Sequence, residues 1–369
     1  MSNEVASDRL RLNSVHAIRA LAALLVAALH SFSREQLEPD AFLPHWLEFA
    51  RIGTDMFFVM SGAVMVYSTT NRARGLGPAA SFLYDRITRI YPVYWIATAA
   101  TLAVWSVSGH KFMAHLIRHP EPWSTILLVP NGHIPALLVA WTLSHLLLFY
   151  FLFSLTLLAP KKALPYILVI WVIAVLAMRL AGWGHESAPP LMRFLSHQAS
   201  FEFIAGVVMM RAAMNGVRLP SLLLLCAGAV WLVGYVIAAG PNPDLTIFSN
   251  GDTRLLEVGI PAILFAGAAI FYDVHHKRQL HPAVKFLADV SFGVYLMHIM
   301  ALAFVGRIWS MIAIPGPVDN ILAFATMLGL SIFSGWVLHK YVEIPVREWT
   351  KAAKPKVIAA LAFMSNPGQ

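Results

Sequence analysis

The sequence predicts an all-α integral membrane protein, a single bundle of about ten transmembrane helices with both termini in the cytoplasm. Composition is the first reason, since 58% of the residues are hydrophobic and only 12% are charged, whereas soluble domains carry about 25% charged residues. The second reason is a series of apolar segments long enough to cross a bilayer, which takes ~20 residues. The third is the concentration of lysine and arginine in alternate loops.

The expected spans follow from the lengths of the apolar segments and from the polar stretches between them. They are 13–32, 52–69, 90–108, 140–159, 164–181, 199–213, 220–239, 254–272, 291–313 and 319–341. The stretch 109–139 is too interrupted to span, so we expect a long loop or a re-entrant segment there. The domain layout is then a cytoplasmic segment over 1–12, a transmembrane domain over 13–350 and a cytoplasmic tail over 351–369.

Charge distribution gives the expected orientation of the bundle. With the N-terminus in the cytoplasm, most lysines and arginines fall in cytoplasmic loops, as the positive-inside rule requires. This bias accounts for the formal charge of +8 without a nucleic-acid partner. Cys226 is the one cysteine and lies in an apolar segment, so an intramolecular disulfide is excluded. No metal is expected, because the His275, His276 and His281 cluster lacks carboxylate or thiolate partners at a ligand spacing.

Arg19 and His30 lie on the first apolar segment, eleven residues apart. Eleven steps of about 100° return nearly to the starting angle, so both side chains face the same way, ~16 Å apart along the helix axis. Ionisable side chains are costly inside a membrane and usually face the interior of the bundle, where they are functional. The pair therefore predicts charged or reactive chemistry within the bundle.

Asp55, near the start of the second span, is predicted to lie at the same depth as His30. A carboxylate beside an imidazole fixes its tautomer and prepares it as a general base. We therefore expect His30 and Asp55 to be the catalytic residues. The alternative is that His30 is bonded to backbone and that Asp55 caps the second span.

Arg86 and Arg89 mark the cytoplasmic start of the third span and, being three residues apart, share one helix face. Guanidinium groups suit phosphate, and Arg19 at the same side favours convergence of three arginines on one polyanionic ligand. The alternative interpretation is ordinary positive-inside anchoring beside an aromatic belt.

Further polar residues are candidates for lining or supporting the site. His298 follows Tyr295 by one helical turn, so both are expected to line it, although an interior histidine satisfied by backbone is the alternative. Ser61 is a weaker candidate, because its hydroxyl readily bonds its own helix. Glu343, at the cytoplasmic end of the tenth span, is expected to have a structural role through an ion pair with a cytoplasmic arginine.

Several segments, taken in order over about residues 13–350, resemble the acyltransferase-3 family of multi-pass bacterial membrane O-acyltransferases. They are Arg19 with His30, Gly53 to Gly62 (GTDMFFVMSG), Arg86 to Pro92 (RITRIYP), Trp141 to Leu143, Ser291 to His298 and Glu343 to Pro345. The N-terminal part is most similar to the exopolysaccharide acetyltransferase branch. One position departs from the family pattern, because Leu146 stands where members carry a glutamate, which implies an altered acceptor site or reduced activity.

The resemblance implies transfer of an acyl group, acetyl in this branch, from cytoplasmic acyl-CoA to a sugar hydroxyl of a surface or exported polysaccharide or its lipid-linked precursor. Acetyl-CoA is then a co-substrate, and no bound cofactor is expected. Arg19, Arg86 and Arg89 would hold the donor's phosphates, and Trp141 would line the site. Direct transfer through His30 and a two-step route through acyl-His30 both stay open. The implied location is the bacterial inner membrane, with membrane lipids and polysaccharide-synthesis machinery as partners.

Two other function classes stay open from the sequence. The first is a glycan or metabolite transporter or exporter, in which Arg19, Asp55, His30 and His298 form a proton or substrate path. The absence of an inverted sequence repeat and of paired Gly/Pro-broken spans weakens it. The second is a structural subunit of a polysaccharide-synthesis complex, which the departure at Leu146 keeps open.

Overall fold

The computed structural model describes residues 12–36, 43–108, 121–133, 135–239, 253–276, 279–314 and 316–365. In this part of the chain the regular structure is helical. The α-helices are α1 Asn13–Glu35, α2 Ile52–Thr69, α3 Leu76–Val107, α4 Pro122–Ile126, α5 Trp141–Thr156, α6 Leu164–Leu180, α7 Pro190–Leu195, α8 Ala199–Met214, α9 Ser221–Ala239, α10 Ile260–His275, α11 Pro282–Ile312, α12 Pro317–Leu338 and α13 Ile344–Ser365.

The predicted all-α fold is confirmed for the described residues, and each predicted span corresponds to a helix. Nine helical stretches in the described ranges are long and apolar enough to cross a membrane. The predicted sixth span is α8, which has 16 residues and is therefore shorter than the ~20 residues of a perpendicular span. Within the predicted tail, residues 351–365 continue α13, and 366–369 lie outside the described residues.

Two helices begin well before their predicted spans. α3 begins at Leu76 rather than near 90, and α11 begins at Pro282 rather than near 291. The 32 residues of α3 correspond to ~48 Å at ~1.5 Å per residue, so the helix extends beyond a hydrocarbon core of about 30 Å. The early turns carry Asp85 and Arg86, which interrupt the apolar pattern without interrupting the helix.

Side-chain contacts fix the relative direction of the helices. The backbone N–H groups of Ser14 and Val15, at the start of α1, donate to the Asp273 carboxylate near the end of α10, at 2.8 and 3.0 Å. Thr70, just after α2, contacts the sulfur of Met214 at the end of α8 at 3.7 Å. We call the side of the bundle where α1, α3 and α11 begin and α2, α8 and α10 end the arginine end, and the other side the far end.

α2 and α8 pack closely because glycines lie at their contact. A Cβ atom on Gly62 would collide with the backbone carbonyl of Phe203, and one on Gly206 would collide with that of Val59. Small residues permit such approach of two helix backbones. The contact matters for function because α2 carries Asp55 and Ser61.

The segment around α4 lies against the middle of α3. Three aromatic side chains of α3 donate to successive carbonyls there: Tyr91 to Leu127 at 2.8 Å, Tyr94 to Thr125 at 2.5 Å and Trp95 to Ile126 at 2.8 Å. The chain thus returns from the end of α3 to its middle, which favours the re-entrant alternative for the predicted non-spanning stretch. Its residues 109–120 and 134 lie outside the described residues.

Candidate active site

A cavity of about 440 Å³ runs into the bundle from the arginine end. Four arginines line it: Arg19 of α1, Arg86 and Arg89 of α3, and Arg347 of α13. Arg19, Arg86 and Arg89, which were expected to converge on one polyanionic ligand, thus line the same space. Arg347 was not singled out from the sequence, because it follows the predicted tenth span, 319–341, and was counted only among the cytoplasmic basic residues.

Glu343 and His339 hold one side of the cavity opening. Both lie in a π-helical turn, His339–Glu343, a distortion that often occurs at functional sites. The Glu343 carboxylate accepts a hydrogen bond from His339 Nδ1 at 2.8 Å and lies 3.8 Å from Arg89 Nη2. The expected ion pair of Glu343 with an arginine is thus present. The side chain of Arg89 is 46% exposed, so its other donors face the opening.

Arg86 is oriented from both sides. Its Nη2 donates to the Ser68 hydroxyl at 2.9 Å, and its guanidinium lies over the ring of Phe82, 5.2 Å from the centroid. A guanidinium packed on an aromatic ring keeps its edge donors available for an anion. Arg86 is therefore held in place beside the cavity.

A second cavity, also of about 440 Å³, adjoins the first. It shares Arg86, Arg89, Glu343 and Arg347 with it and adds two lysines of α13, Lys351 and Lys354. Lys354 donates to the Asp85 carboxylate at 2.6 Å. The second cavity and the arginine-lined opening of the first together form what we call the basic outer chamber.

The inner part of the first cavity is mainly apolar. Its walls include Phe57, Met60, Val64, Leu143, Leu146 and Phe292. Leu146, the departure from the family pattern, therefore lies in the wall of the arginine-lined cavity. Ser61 also lines it, and its hydroxyl donates to the Phe57 carbonyl of its own helix at 2.7 Å.

Tyr295 and Thr142 lie at the inner part of this cavity. The Tyr295 hydroxyl lies 2.6 Å from that of Thr142 and donates to the Val139 carbonyl at 3.1 Å. These bonds join α11 to the first turn of α5 and to the segment just before it. Tyr295 is therefore fixed between the cavity and His298, which follows one turn later on α11.

His30 and His298 stack on each other beyond Tyr295. Their ring centroids are 5.2 Å apart and their planes differ by 29°. His298 Nδ1 lies 3.2 and 2.9 Å from the carbonyl oxygens of Val294 and Tyr295. Carbonyl oxygens only accept, so Nδ1 carries the proton and Nε2 the lone pair. His298 is fully buried, and no hydrogen-bond partner for Nε2 occurs among the described residues.

Asp55 lies elsewhere than predicted. Both of its carboxylate oxygens accept from Arg254, at 3.1 Å from Nε and 2.8 Å from Nη2. Both side chains are almost completely buried. The predicted pairing of Asp55 with His30 is therefore wrong: Arg254, just before the π-helical turn that leads into α10, pairs with Asp55 instead. Depth can be estimated from sequence, but the direction in which each helix faces its neighbours cannot.

Arg254 is the main residue of this cluster that the sequence analysis missed, because it begins the predicted span 254–272 and was counted only as a positive charge on the outer side. A signal was present, since a carboxylate in an apolar segment requires a cationic partner. Arg254 also lies 5.9 Å from the Trp141 ring centroid, which joins Trp141 to this buried cluster. Glu202 of α8 is buried there as well and interacts electrostatically with Asp55 and Arg254.

The arrangement combines a basic outer chamber with an apolar passage that ends at Tyr295; His30 and His298 lie beyond Tyr295 and are not among the described residues that line the cavities. Such a space suits a long ligand with phosphates at one end and a neutral reactive group at the other. Within the described ranges, no group of three or more His, Cys, Asp or Glu side chains is placed to hold a metal ion.

Comparison with known proteins gives a family and a relative. The sequence profile of the acyltransferase-3 family, described as an acyltransferase domain, matches residues 12–340. The exopolysaccharide production protein ExoZ of Rhizobium meliloti (strain 1021) is 25% identical to this chain over 308 residues, which cover 78% of this chain and 89% of that protein. No solved structure matches the chain.

Proposed function

This chain belongs to the acyltransferase-3 family, and we propose that it moves an acetyl group from acetyl-CoA to a sugar hydroxyl of an exopolysaccharide or of its lipid-linked precursor. The similarity to a protein of exopolysaccharide production supports this class of acceptor. The protein would act in the bacterial inner membrane, with the arginine end in the cytoplasm, where acetyl-CoA is available.

The observation that carries this proposal is the arginine-lined cavity that leads toward the His30–His298 pair. Coenzyme A has three phosphate groups, and the outer chamber offers Arg19, Arg86, Arg89 and Arg347 to them. Its long flexible arm would follow the apolar passage. Arg19 and His30 are ~16 Å apart along the helix axis, a length of the right order for that arm.

The chemistry we propose is direct transfer with His30 as general base. His30 removes the proton from the sugar hydroxyl, and the oxygen attacks the carbonyl carbon of the thioester. The carbon–sulfur bond breaks, and the leaving thiolate receives the proton from His30 and departs as the free thiol of coenzyme A. A positioned base of this kind typically contributes a factor of about 10²–10⁴ to the rate.

The test uses the full chain, purified and reconstituted in lipid nanodiscs. Acetyl-CoA and the producing strain's exopolysaccharide, stripped of O-acyl groups by mild alkali, are the substrates. Thiol release is followed with a chromogenic disulfide, and O-acetyl groups on the glycan are measured by NMR. We expect the wild type to acetylate the glycan and His30→Ala to lose at least about 99% of the rate while remaining folded.

His276→Ala is the matched control, because His276 is exposed and its ring stacks on that of Tyr272, with the centroids 4.3 Å apart. The His276→Ala variant should transfer acetyl groups at the wild-type rate. Transfer that persists in folded His30→Ala would contradict the general-base assignment. A folded wild type that neither releases thiol nor acetylates the glycan would contradict the proposed reaction and would favour the transport or structural alternatives.

A further inference from the structure

A general base such as His30 requires a partner that fixes its tautomer. Asp55, the partner expected from the sequence, does not serve this purpose. Asp55 is bound through both oxygens to Arg254. In the described part of the chain, the polar ring stacked on His30 is that of His298. We propose that His298 is the positioning residue of His30: its Nε2 accepts the N–H of His30, which leaves the other nitrogen of His30 with its lone pair toward the acceptor hydroxyl.

The first support is the fixed tautomer of His298. Its Nδ1–H is held by the carbonyls of Val294 and Tyr295, so Nε2 can act only as an acceptor while the ring is neutral. A partner that only accepts fixes the nitrogen of His30 on which the proton lies. The backbone of α11 thus determines the tautomer of His298, and His298 determines that of His30.

The second support is the unpaired Nε2 of His298. The residue is fully buried, and no donor reaches this atom from the residues that the structure describes. Buried polar atoms are nearly always hydrogen-bonded, so an exception calls for an explanation. Among the described residues, no hydrogen bond to a ring nitrogen of His30 fixes its tautomer either. An acceptor without a donor thus lies next to a base without a fixed tautomer.

The bond requires a movement of the His30 ring. A nitrogen-to-nitrogen hydrogen bond needs a separation of about 3 Å, and the ring centroids are 5.2 Å apart. The movement we expect is rotation of the His30 ring about χ2, a torsion with broad minima. Hydrogen bonds between catalytic groups are often long in the free enzyme and shorten when substrate binds.

A neutral imidazole suits this position in the membrane interior. A carboxylate there would have to be buried as an unpaired charge, which is strongly unfavourable. His298 orients His30 without that charge. The arrangement keeps the general principle of a base oriented by a third group, with a histidine in the place of the usual carboxylate.

The proposal rests on the proposed function, and its test measures kcat and KM for acetyl-CoA in nanodiscs with the de-O-acylated exopolysaccharide as acceptor. We expect His298→Leu to lower kcat at least about 100-fold while KM stays within twofold of wild type. The kcat of His298→Gln should be at least about tenfold higher than that of His298→Leu, because the side-chain oxygen of glutamine can accept a hydrogen bond from His30.

His145 provides a matched control within the same chain. Its Nδ1 lies 3.0 Å from the carbonyl of Trp141, four residues earlier, and its buried Nε2 also has no partner among the described residues. It packs against Phe194 and His197 instead of His30. His145→Leu should therefore keep kcat within about threefold, whereas His298→Leu should not, if the effect of His298 passes through His30.

The outcomes separate the two proposals. An active wild type with equally active His298→Leu, or an equal loss of kcat in His145→Leu, overturns the role of His298 and leaves the proposed function intact. Equal losses in His298→Gln and His298→Leu with a raised KM also overturn it, since they indicate packing alone. If His298→Leu fails to fold, His298→Asn replaces it, because the shorter amide can mimic Nδ1 but not Nε2. An inactive wild type overturns the proposed function itself.

Discussion

At the residue scale, the buried ion pair of Asp55 and Arg254 is expected to support the fold rather than the reaction. Removal of one partner leaves a buried charge unpaired at a cost of about 3–5 kcal/mol, whereas apolar replacement of both is often neutral. We predict that Asp55→Leu and Arg254→Leu each lose thermal stability and that the double variant recovers most of it. Thermal unfolding of the purified variants in detergent measures this.

Arg254→Leu should be the less stable of the two single variants. Without the guanidinium, Asp55 faces the buried carboxylate of Glu202, which interacts with both residues in the wild type. A stable Asp55→Leu protein that has lost acyl transfer would contradict this prediction. It would return Asp55 to the reacting centre, where the sequence analysis first placed it.

Arg89 provides a test of donor binding. Its guanidinium is half-exposed at the opening that both cavities share, and a hydrogen bond to a charged group is worth about 1.5–3 kcal/mol. We predict that Arg89→Gln raises the KM for acetyl-CoA by roughly tenfold or more with little change in kcat. Steady-state kinetics of thiol release at saturating glycan measures both constants.

Lys162→Gln is the control for the loss of a positive charge. Lys162 is exposed between α5 and α6 at the arginine end but lines neither cavity. The KM of Lys162→Gln for acetyl-CoA should equal that of wild type. An equal increase in both variants would show that the general charge of this end, and not a specific contact of Arg89, attracts the donor.

Sequence analysis identified the residue types at the site more reliably than their partners. Arg19, Arg86 and Arg89 were expected to converge and do line one cavity. The prediction for these three arginines needed only their depth along the helix and the helix face on which they lie, and residue spacing provides both. The partners of His30 and Asp55 depended on which of several helices lies beside each, and no spacing within a single helix contains that information.

At the element scale, the close contact of α2 and α8 is expected to be the most sensitive helix interface. An added side chain at Gly62 or Gly206 meets backbone carbonyl groups, which cannot move aside as a flexible side chain does. Overpacking of this kind costs about 1–3 kcal/mol or more. We predict that Gly62→Leu and Gly206→Leu each lower thermal stability and yield, as measured by fluorescence-detected size-exclusion chromatography after heating.

Gly234→Leu is the matched control for the element prediction. Gly234 lies within α9, and nothing in the described structure lies within 4 Å of an added Cβ atom there. The same substitution should therefore leave stability unchanged or slightly improved, because leucine favours helix more than glycine does. A comparable loss at Gly234 would show that the detergent-solubilised bundle responds to bulk anywhere, and not to the α2–α8 contact.

Helix existence was predictable, whereas helix ends were not. Apolar length identified ten of the α-helices in the described residues, since a membrane span must satisfy its own backbone, but it did not identify α4, α7 or α13. The starts of α3 and α11 were placed too late because polar residues near a helix end resemble a loop in sequence. The position of α4 beside α3 depends on hydrogen bonds from Tyr91, Tyr94 and Trp95, whose acceptors lie about 30 residues away in sequence.

At the scale of the whole molecule, the proposed reaction requires the arginine end to face the cytoplasm. Acetyl-CoA does not cross membranes, so its phosphates must meet Arg19, Arg86 and Arg89 from that side. The loops at this end are also rich in lysine and arginine, as the positive-inside rule requires of cytoplasmic loops. We therefore predict that the arginine end faces the cytoplasm, because the proposed donor site requires it.

Cysteine labelling tests the orientation directly. Cys226 is replaced by alanine, and single cysteines are introduced as Ser187→Cys, in the exposed loop between α6 and α7 at the far end, or as Lys162→Cys, at the arginine end. We predict that a membrane-impermeant maleimide labels Ser187→Cys in intact spheroplasts but labels Lys162→Cys only after lysis. The cysteine-free protein should remain unlabelled in both conditions.

The reverse labelling pattern would place the arginine-lined cavity outside the cytoplasm, where no acyl-CoA is present. A cytoplasmic donor would then have no access to Arg89 or to the passage beyond it, and the proposed reaction would fail whatever the chemistry of His30. The expected pattern instead places the cavity on the donor's side of the membrane, with His30 about 16 Å deeper along α1 than Arg19. Orientation and reaction are therefore tested together, because the donor can enter only where its phosphates are bound.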